Sequence, residues 1–326
     1  MGPGRNGLAS CRGLPSTGSV KRGNGKCRRE RRPGVRQLER HVRALAEEIG
    51  ERHVWRYDAL ERAATYIEDS LRSSLYDVVP QAYEVDIDHP LLTPAQRGVH
   101  NLEVEVGGRG RADEIVVIGA HYDSIPGCPA ANDNGSGVAA MLEIARLLAD
   151  RTFERTLRFV AFVNEEPPFF QTSRMGSMVY AQRCRQRREK VVAMISLETI
   201  GYYSDEPASQ HYPFPFSLFY PSVGNFIGFI GNLASRRLVR RVVSSFREHT
   251  SFPCEGAAVP GWITGIGWSD HWAFWKAGYP ALMATDTALF RYPWYHTPQD
   301  TVDKIDFERM ALVVAGLANV VEDLAQ

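Results

Sequence analysis

Histidines and carboxylates recur at one kind of place in this chain, directly after short apolar runs. Residues 115–118 (IVVI) lead through Gly119-Ala120 to His121, Asp123 and, past a Pro/Gly turn, Asp133. Residues 156–163 (TLRFVAFV) lead to Glu165 and Glu166, residues 191–197 (VVAMISL) to Glu198, and residues 279–284 through an aromatic loop to His296. A lone histidine at a strand end is ordinarily a solvated loop residue. Four successive exits into potential ligands are harder to ascribe to surface charge, because open α/β sheets gather their sites at the carboxyl ends of their strands. Oxygen and imidazole donors without sulfur suit zinc and also accommodate cobalt or manganese. There are more carboxylates than one structural zinc takes. Two ions that share a bridging carboxylate, each with one histidine and one further carboxylate, use such a set naturally, and metals about 3.5–4 Å apart suit hydrolysis.

The elements that must position these groups are legible as periodicities. Residues 35–76 read as two amphipathic helices, with Leu38, Val42, Leu45 and Ile49 on one apolar face and Leu60, Ala64, Ile67 and Leu71 on the other. Residues 80–87 and 99–106 alternate as half-buried strands do. Strands 114–119, 156–163, 191–197 and 279–284 interleave with helices expected over 138–150, 175–186, 233–249, 269–276 and 307–324, Ser269 being the expected N-cap of the fourth. This order predicts an α/β fold: a single domain with a mostly parallel central sheet flanked by helices. Residues 202–265 are expected to form a loop-rich insertion, since 201–231 are rich in Tyr, Phe, Pro and Gly.

Composition narrows the partners. The 326 residues are 44% hydrophobic and formally uncharged overall, enough for a large core and without the basic excess of a nucleic-acid binder. Residues 1–36 differ: ten Arg and Lys face one acid, Glu30, with few large apolar residues, and a disordered basic tail is expected there. Residues 1–36 hold no apolar run of the length of a secretory signal core and no run elsewhere approaches a membrane span, so a cytoplasmic protein with no membrane or nucleic-acid partner is expected. Cys11, Cys27, Cys128, Cys184 and Cys254 are scattered and show no C-x-x-C spacing, and so imply neither a disulfide framework nor a thiolate metal site.

The strings GAHYDS, NDNGSGV, NEE, LETIG, SDH and YHTPQDT, in this order between residue 35 and the C-terminus, resemble the co-catalytic dizinc aminopeptidases typified by bacterial leucyl aminopeptidases and aminopeptidase Y. The resemblance implies two Zn2+ ions, with His121 and Glu198 on one, Glu166 and His296 on the other, and Asp133 bridging both through a residue whose following peptide bond is cis. It implies Glu165 as general base and Asp123 as the carboxylate that orients His121. The activity implied is removal of N-terminal residues from peptides or amino-acid derivatives by a hydroxide shared between the metals. Tyr202, Phe229, Trp262, Trp268, Phe290, Tyr292 and Trp294 either wall an apolar side-chain pocket or pack beneath the late loops.

Three features depart from that family's pattern. Glu165-Glu166 runs into Pro167-Pro168-Phe169-Phe170 where many relatives have a glycine-containing turn, Glu198 stands where many have Asp, and the transition-state tyrosine could be Tyr202, Tyr203, Tyr292 or Tyr295. The rival readings are a glutaminyl cyclase-like single-zinc acyltransferase, a carboxypeptidase, and a catalytically silent peptidase-like binding domain. The first lacks the leading histidine ligand that His121 supplies, the second wants an arginine patch near the motifs, and the third would have lost ligands. Asn134-Gly135-Ser136-Gly137 has neither the lysine nor the spacing of a phosphate loop.

Overall fold

The computed structural model describes residues 1, 33–87 and 95–326, so the basic tail expected over 1–36 lies, apart from Met1 and its last four residues, outside the described part. Among the described residues eight strands form one sheet in the order β1-β2-β4-β3-β5-β8-β6-β7. They are β1 (Val79–Ile87), β2 (Ala95–Val106), β3 (Arg111–His121), β4 (Arg155–Phe162), β5 (Lys190–Glu198), β6 (Ile227–Asn232), β7 (Cys254–Val259) and β8 (Ala281–Thr285). The central strands β4, β3, β5 and β8 are parallel, as are β6 and β7, whereas β1–β2, β2–β4 and β6–β8 are antiparallel.

Side-chain alternation along the buried strands feeds two cores. Val116 and Ile118 of β3 join a cluster with α1 (Val35–Arg43), α2 (Tyr57–Ser73), α3 (Gly137–Leu148), α5 (Arg236–His249) and α7 (Phe307–Ala325). Ile115 and Val117 join the other cluster, with α4 (Gly176–Gln186) and α6 (His271–Lys276). The parallel strands are covered on both faces, which is why they read as continuous apolar runs. Among the described residues no helix is long and apolar enough to cross a membrane.

Two expectations need correction. The segment 202–265 is not merely loop and helix, for it supplies β6 and β7, which extend the sheet beyond β8. Gly228, Gly231 and Gly256 break the apolar pattern of these short strands, and two of the three are required by packing. A Cβ on Gly231 would lie 2.7 Å from Val239, and one on Gly256 2.6 Å from Val243, both on α5. The helix expected from Ser269 begins at His271, and no side chain caps it. The Ser269 hydroxyl instead donates to Glu198 Oε2 at 2.7 Å.

Candidate metal centre

Parallel strands end together, and the chain's histidines and carboxylates meet where they end. His121 and Glu198 are the last residues of β3 and β5, Glu165 and Glu166 follow β4, and the loop after β8 returns His296 to the same place. His121 Nε2 lies 3.3 Å from Asp133 Oδ1 and 3.4 Å from Glu198 Oε2. On the other side of Asp133, Oδ2 lies 3.0 Å from His296 Nε2, which is 3.3 Å from Glu166 Oε1. Among the described residues these make two groups able to hold a metal ion, His121–Asp133–Glu198 and Asp133–Glu166–His296, with Asp133 common to both. Glu165 belongs to neither, although its Oε2 is 3.9 Å from His121 Nε2. Asp123 faces His121 Nδ1 at 3.5 Å and accepts the backbone N–H groups of Glu165 (3.0 Å) and Glu166 (3.1 Å).

The donor set fits metal ions. Asp133 Oδ1 and Glu166 Oε1 are buried without a hydrogen-bond partner, and the ligand atoms within each group lie within 4.8 Å of one another. Burial opposes a charge on His121, but Glu198, Glu165, Asp123 and Asp133 around it hold its pKa well above the ordinary value. Burial would also raise Asp133, yet His121 and His296 keep it low. Burial, then the charge of Asp133, lifts Glu166 to about 7, while burial with Glu166 and Glu198 lifts Glu165 well above the usual carboxylate range. Asp270, buried beside Glu198 and Asp123, is raised to about 7. Such a surplus of enclosed negative charge is what divalent cations neutralise.

A cradle of hydrogen bonds fixes the turn Ala131–Ser136 that carries Asp133, whose peptide bond to Asn134 is cis. Asp300 accepts the N–H groups of Asn132 (2.8 Å) and Asp133 (3.0 Å) and the Tyr292 hydroxyl (2.7 Å). Asp286 accepts the Asn132 side-chain amide (2.9 Å) and the Tyr202 N–H (2.8 Å). Asn134 ties the turn to β5 through Leu197 O (2.9 Å), and its Oδ1 accepts Gly137 N–H (3.0 Å). A Cβ on Gly137 would lie 2.4 Å from Leu197 O, so only glycine lets the start of α3 come this close to β5. Beneath the loop the wholly buried Arg52 donates to the carbonyls of Tyr122 (2.7 Å), Pro129 (2.8 Å) and Ala130 (3.0 Å). Asp300, Asp286 and Arg52 had no assigned role in the sequence reading. Asp300 sits inside YHTPQDT and was within reach of it, whereas Arg52 has no local signal.

An apolar pocket opens beside Glu198, Thr199 and Tyr295. Of the seven aromatic residues considered from sequence, Trp268 and Phe290 line it. Phe229 packs in the core on Phe246, at 5.2 Å between ring centroids, and Tyr202, Tyr292 and Trp294 pack against one another in tilted and edge-to-face contacts. Trp262 lines a second pocket with Trp272 and Trp275. The four candidate tyrosines also separate. The Tyr203 hydroxyl donates to Ile200 O and that of Tyr292 to Asp300, while the Tyr295 ring stacks on His296 at 3.9 Å.

Residues 101–321 match peptidase family M28. YfbL, an uncharacterised protein of Escherichia coli, is 38% identical over 291 residues, 86% of this chain and 85% of its own length. Aminopeptidase YwaD of Bacillus subtilis is 30% identical over 207 residues, 60% of this chain but only 38% of YwaD. The structure of BSAP, a zinc aminopeptidase from Bacillus subtilis, superposes with a TM-score of 0.69 at 19% identity, covering 90% of this chain and 95% of that one.

Proposed function

Because this chain belongs to peptidase family M28, we propose that it is a metal-dependent aminopeptidase releasing the first residue of a peptide. The observation that carries this reading is the pair of ligand groups sharing Asp133. His121, Asp133 and Glu198 would hold one zinc ion, and Asp133, Glu166 and His296 a second, with cobalt or manganese as substitutes. When bound, such ions would polarise the scissile carbonyl and acidify water at the site.

The chain's own groups do the rest. Glu165, beside the ligands and in neither group, takes the proton from the attacking water and delivers it to the leaving amine. Asp123 fixes both the His121 ring and the backbone of the two glutamates. Tyr295, stacked on His296 at the pocket, donates its hydroxyl to the carbonyl oxygen as negative charge develops there. The buried carboxylates at the pocket mouth attract the free α-amino group of the substrate, which limits cleavage to the first residue.

The test is a panel of amino-acid nitroanilides, N-blocked controls and an N-terminal Gln peptide, with and without chelator. Turnover of free but not blocked substrates, abolished by chelator and restored by zinc, is the expected outcome. Turnover confined to blocked substrates, or cyclisation of Gln without hydrolysis of the others, would overturn the reading.

A further inference from the structure

The floor of the apolar pocket is one face of the sheet at β8, β6 and β7, and strand register lines up a row across it. Glu198 of β5 stands opposite Thr285 of β8, Thr285 opposite Gly228 of β6, and Gly228 opposite Glu255 of β7. Three inter-strand steps of about 4.8 Å separate the two glutamate backbones by roughly 14 Å. Between them the row holds only threonine and glycine, so the space above it stays open. Ile230, Ala257 and Met283 flank it with apolar walls.

Alternation decides where Glu255 points. Phe229 packs on Phe246 of α5, and a Cβ on Gly256 would meet Val243 of the same helix, so these two residues face the helix. Their neighbours Gly228, Ile230, Glu255 and Ala257 therefore face the other way, into the pocket that all four line. There Glu255 lies near Tyr212 and Tyr220, whose rings are 5.8 Å apart between centroids and whose hydroxyls are committed to Pro221 O and Gly256 O. Burial raises the pKa of both phenols and the charge of Glu255 adds to it, opposed at Tyr212 by the buried Arg291, whose guanidinium is committed to Gln210 and Phe226 O. Among the described residues no cation pairs with Glu255, which is half-buried. The pocket thus has the ligand groups at one end and, at the other, a carboxylate against two aromatic rings.

We propose that Glu255, Tyr212 and Tyr220 recognise a cationic side-chain terminus, so that the preferred first residue of the substrate is lysine or arginine. This rests on the aminopeptidase reading of the same site. The aliphatic stem of either residue lies along the apolar floor, and its charged head meets the carboxylate and the ring faces. A leucine or phenylalanine side chain buries apolar area but shields Glu255 from water without pairing it, which disfavours the complex.

Norleucine keeps the lysine stem without the charge, and so isolates the contribution of Glu255. With the zinc-loaded protein, kcat/KM for Lys- and Arg-nitroanilide is expected to exceed that for norleucine-nitroanilide by about 10- to 100-fold, the worth of one charge-assisted hydrogen bond. Glu255→Gln should collapse that ratio, by a loss of Lys and Arg turnover together with a gain for norleucine and leucine, whose complexes then no longer shield an unpaired carboxylate, and Glu255→Lys should move the preference to Glu-nitroanilide. Calorimetric binding of lysinamide against norleucinamide to wild type and to Glu255→Gln reads the same ratio without catalysis. A wild-type preference for norleucine or leucine over lysine, or a Lys-to-norleucine ratio unmoved in Glu255→Gln, would overturn the proposal. Failure to turn over any nitroanilide would instead strike the aminopeptidase reading, and the binding ratio would still decide this one.

Discussion

At the scale of single residues, Glu165 and Glu166 are adjacent in sequence and separate in use, one inside a ligand group and one outside both. Glu165→Gln is therefore expected to retain its metal while kcat falls about 10²- to 10⁴-fold, as loss of a general base does. Steady-state kinetics beside metal analysis checks this, and full activity in the variant would place the base elsewhere. Tyr295→Phe removes one donor to the developing oxyanion and should lower kcat by roughly 10²-fold with KM within a few-fold and metal content unchanged. An unchanged kcat would return the choice to Tyr202. The ligand candidates were legible because each follows an apolar run or stands in a recognisable string. Arg52 acts through backbone carbonyl groups, and Asp286 through the Tyr202 N–H and the Asn132 side-chain amide, and no spacing of side-chain types encodes either arrangement. Ser269 has the local context of a helix cap, and only the folded chain shows its hydroxyl turned to Glu198.

At the scale of elements, the turn Ala131–Ser136 is held from outside itself, chiefly by Asp300. Asp300→Ala leaves the N–H groups of Asn132 and Asp133 without their acceptor. It is expected to weaken metal affinity about 10- to 100-fold without removing a ligand, as loss of a supporting carboxylate does. Competition with a chromogenic chelator measures this, and unaltered affinity would show that the glycine-rich turn holds its shape unaided. Helix α1 offers a test of packing rather than chemistry. His41 lies buried with Nδ1 2.7 Å from the Tyr66 hydroxyl; burial, with Arg40 and Arg146 adding to it, pushes its pKa down to about 4. The unfolded chain then binds a proton near pH 6.5 that the folded chain refuses until about pH 4. Stability contributed in this way is full above pH 6.5 and declines as pH falls towards 4, by up to about 3 kcal/mol. Denaturant unfolding of metal-free wild type and His41→Gln at pH 7.5 and 4.5 should show the smaller decline in the variant, and equal declines would refute the assignment. The central strands were legible as continuous apolar runs and the long helices from their period. Strands β6 and β7 were not, because Gly231 and Gly256 answer to α5 packed on the sheet and not to their own alternation.

At the scale of the whole molecule, folding brings the carboxylates of Asp123, Asp133, Glu165, Glu166, Glu198 and Asp270 into one enclosed region, from stretches nearly 150 residues apart in sequence. No stretch of sequence displays that concentration, since formal charge over the chain is zero; it exists only once β3, β4, β5 and β8 end side by side. Like charges in a dry space repel, so the fold is least favourable where the site is most acidic, and cations that bind only the folded form must stabilise it by mass action. Chelator is expected to lower Tm and zinc to restore it. The gain is roughly 4 °C for each filled site when free zinc exceeds Kd a hundredfold. The two ligand groups make the expectation sharper than simple zinc dependence. His296→Ala removes a ligand from one group and should leave about one equivalent bound, with part of the thermal gain. Asp133→Asn withdraws charge from both groups at once and should abolish most of the gain, although it too changes a single residue. Scanning calorimetry across a zinc titration of the three proteins separates these outcomes. Equal losses in the two variants would mean that Asp133 serves one ion and not two.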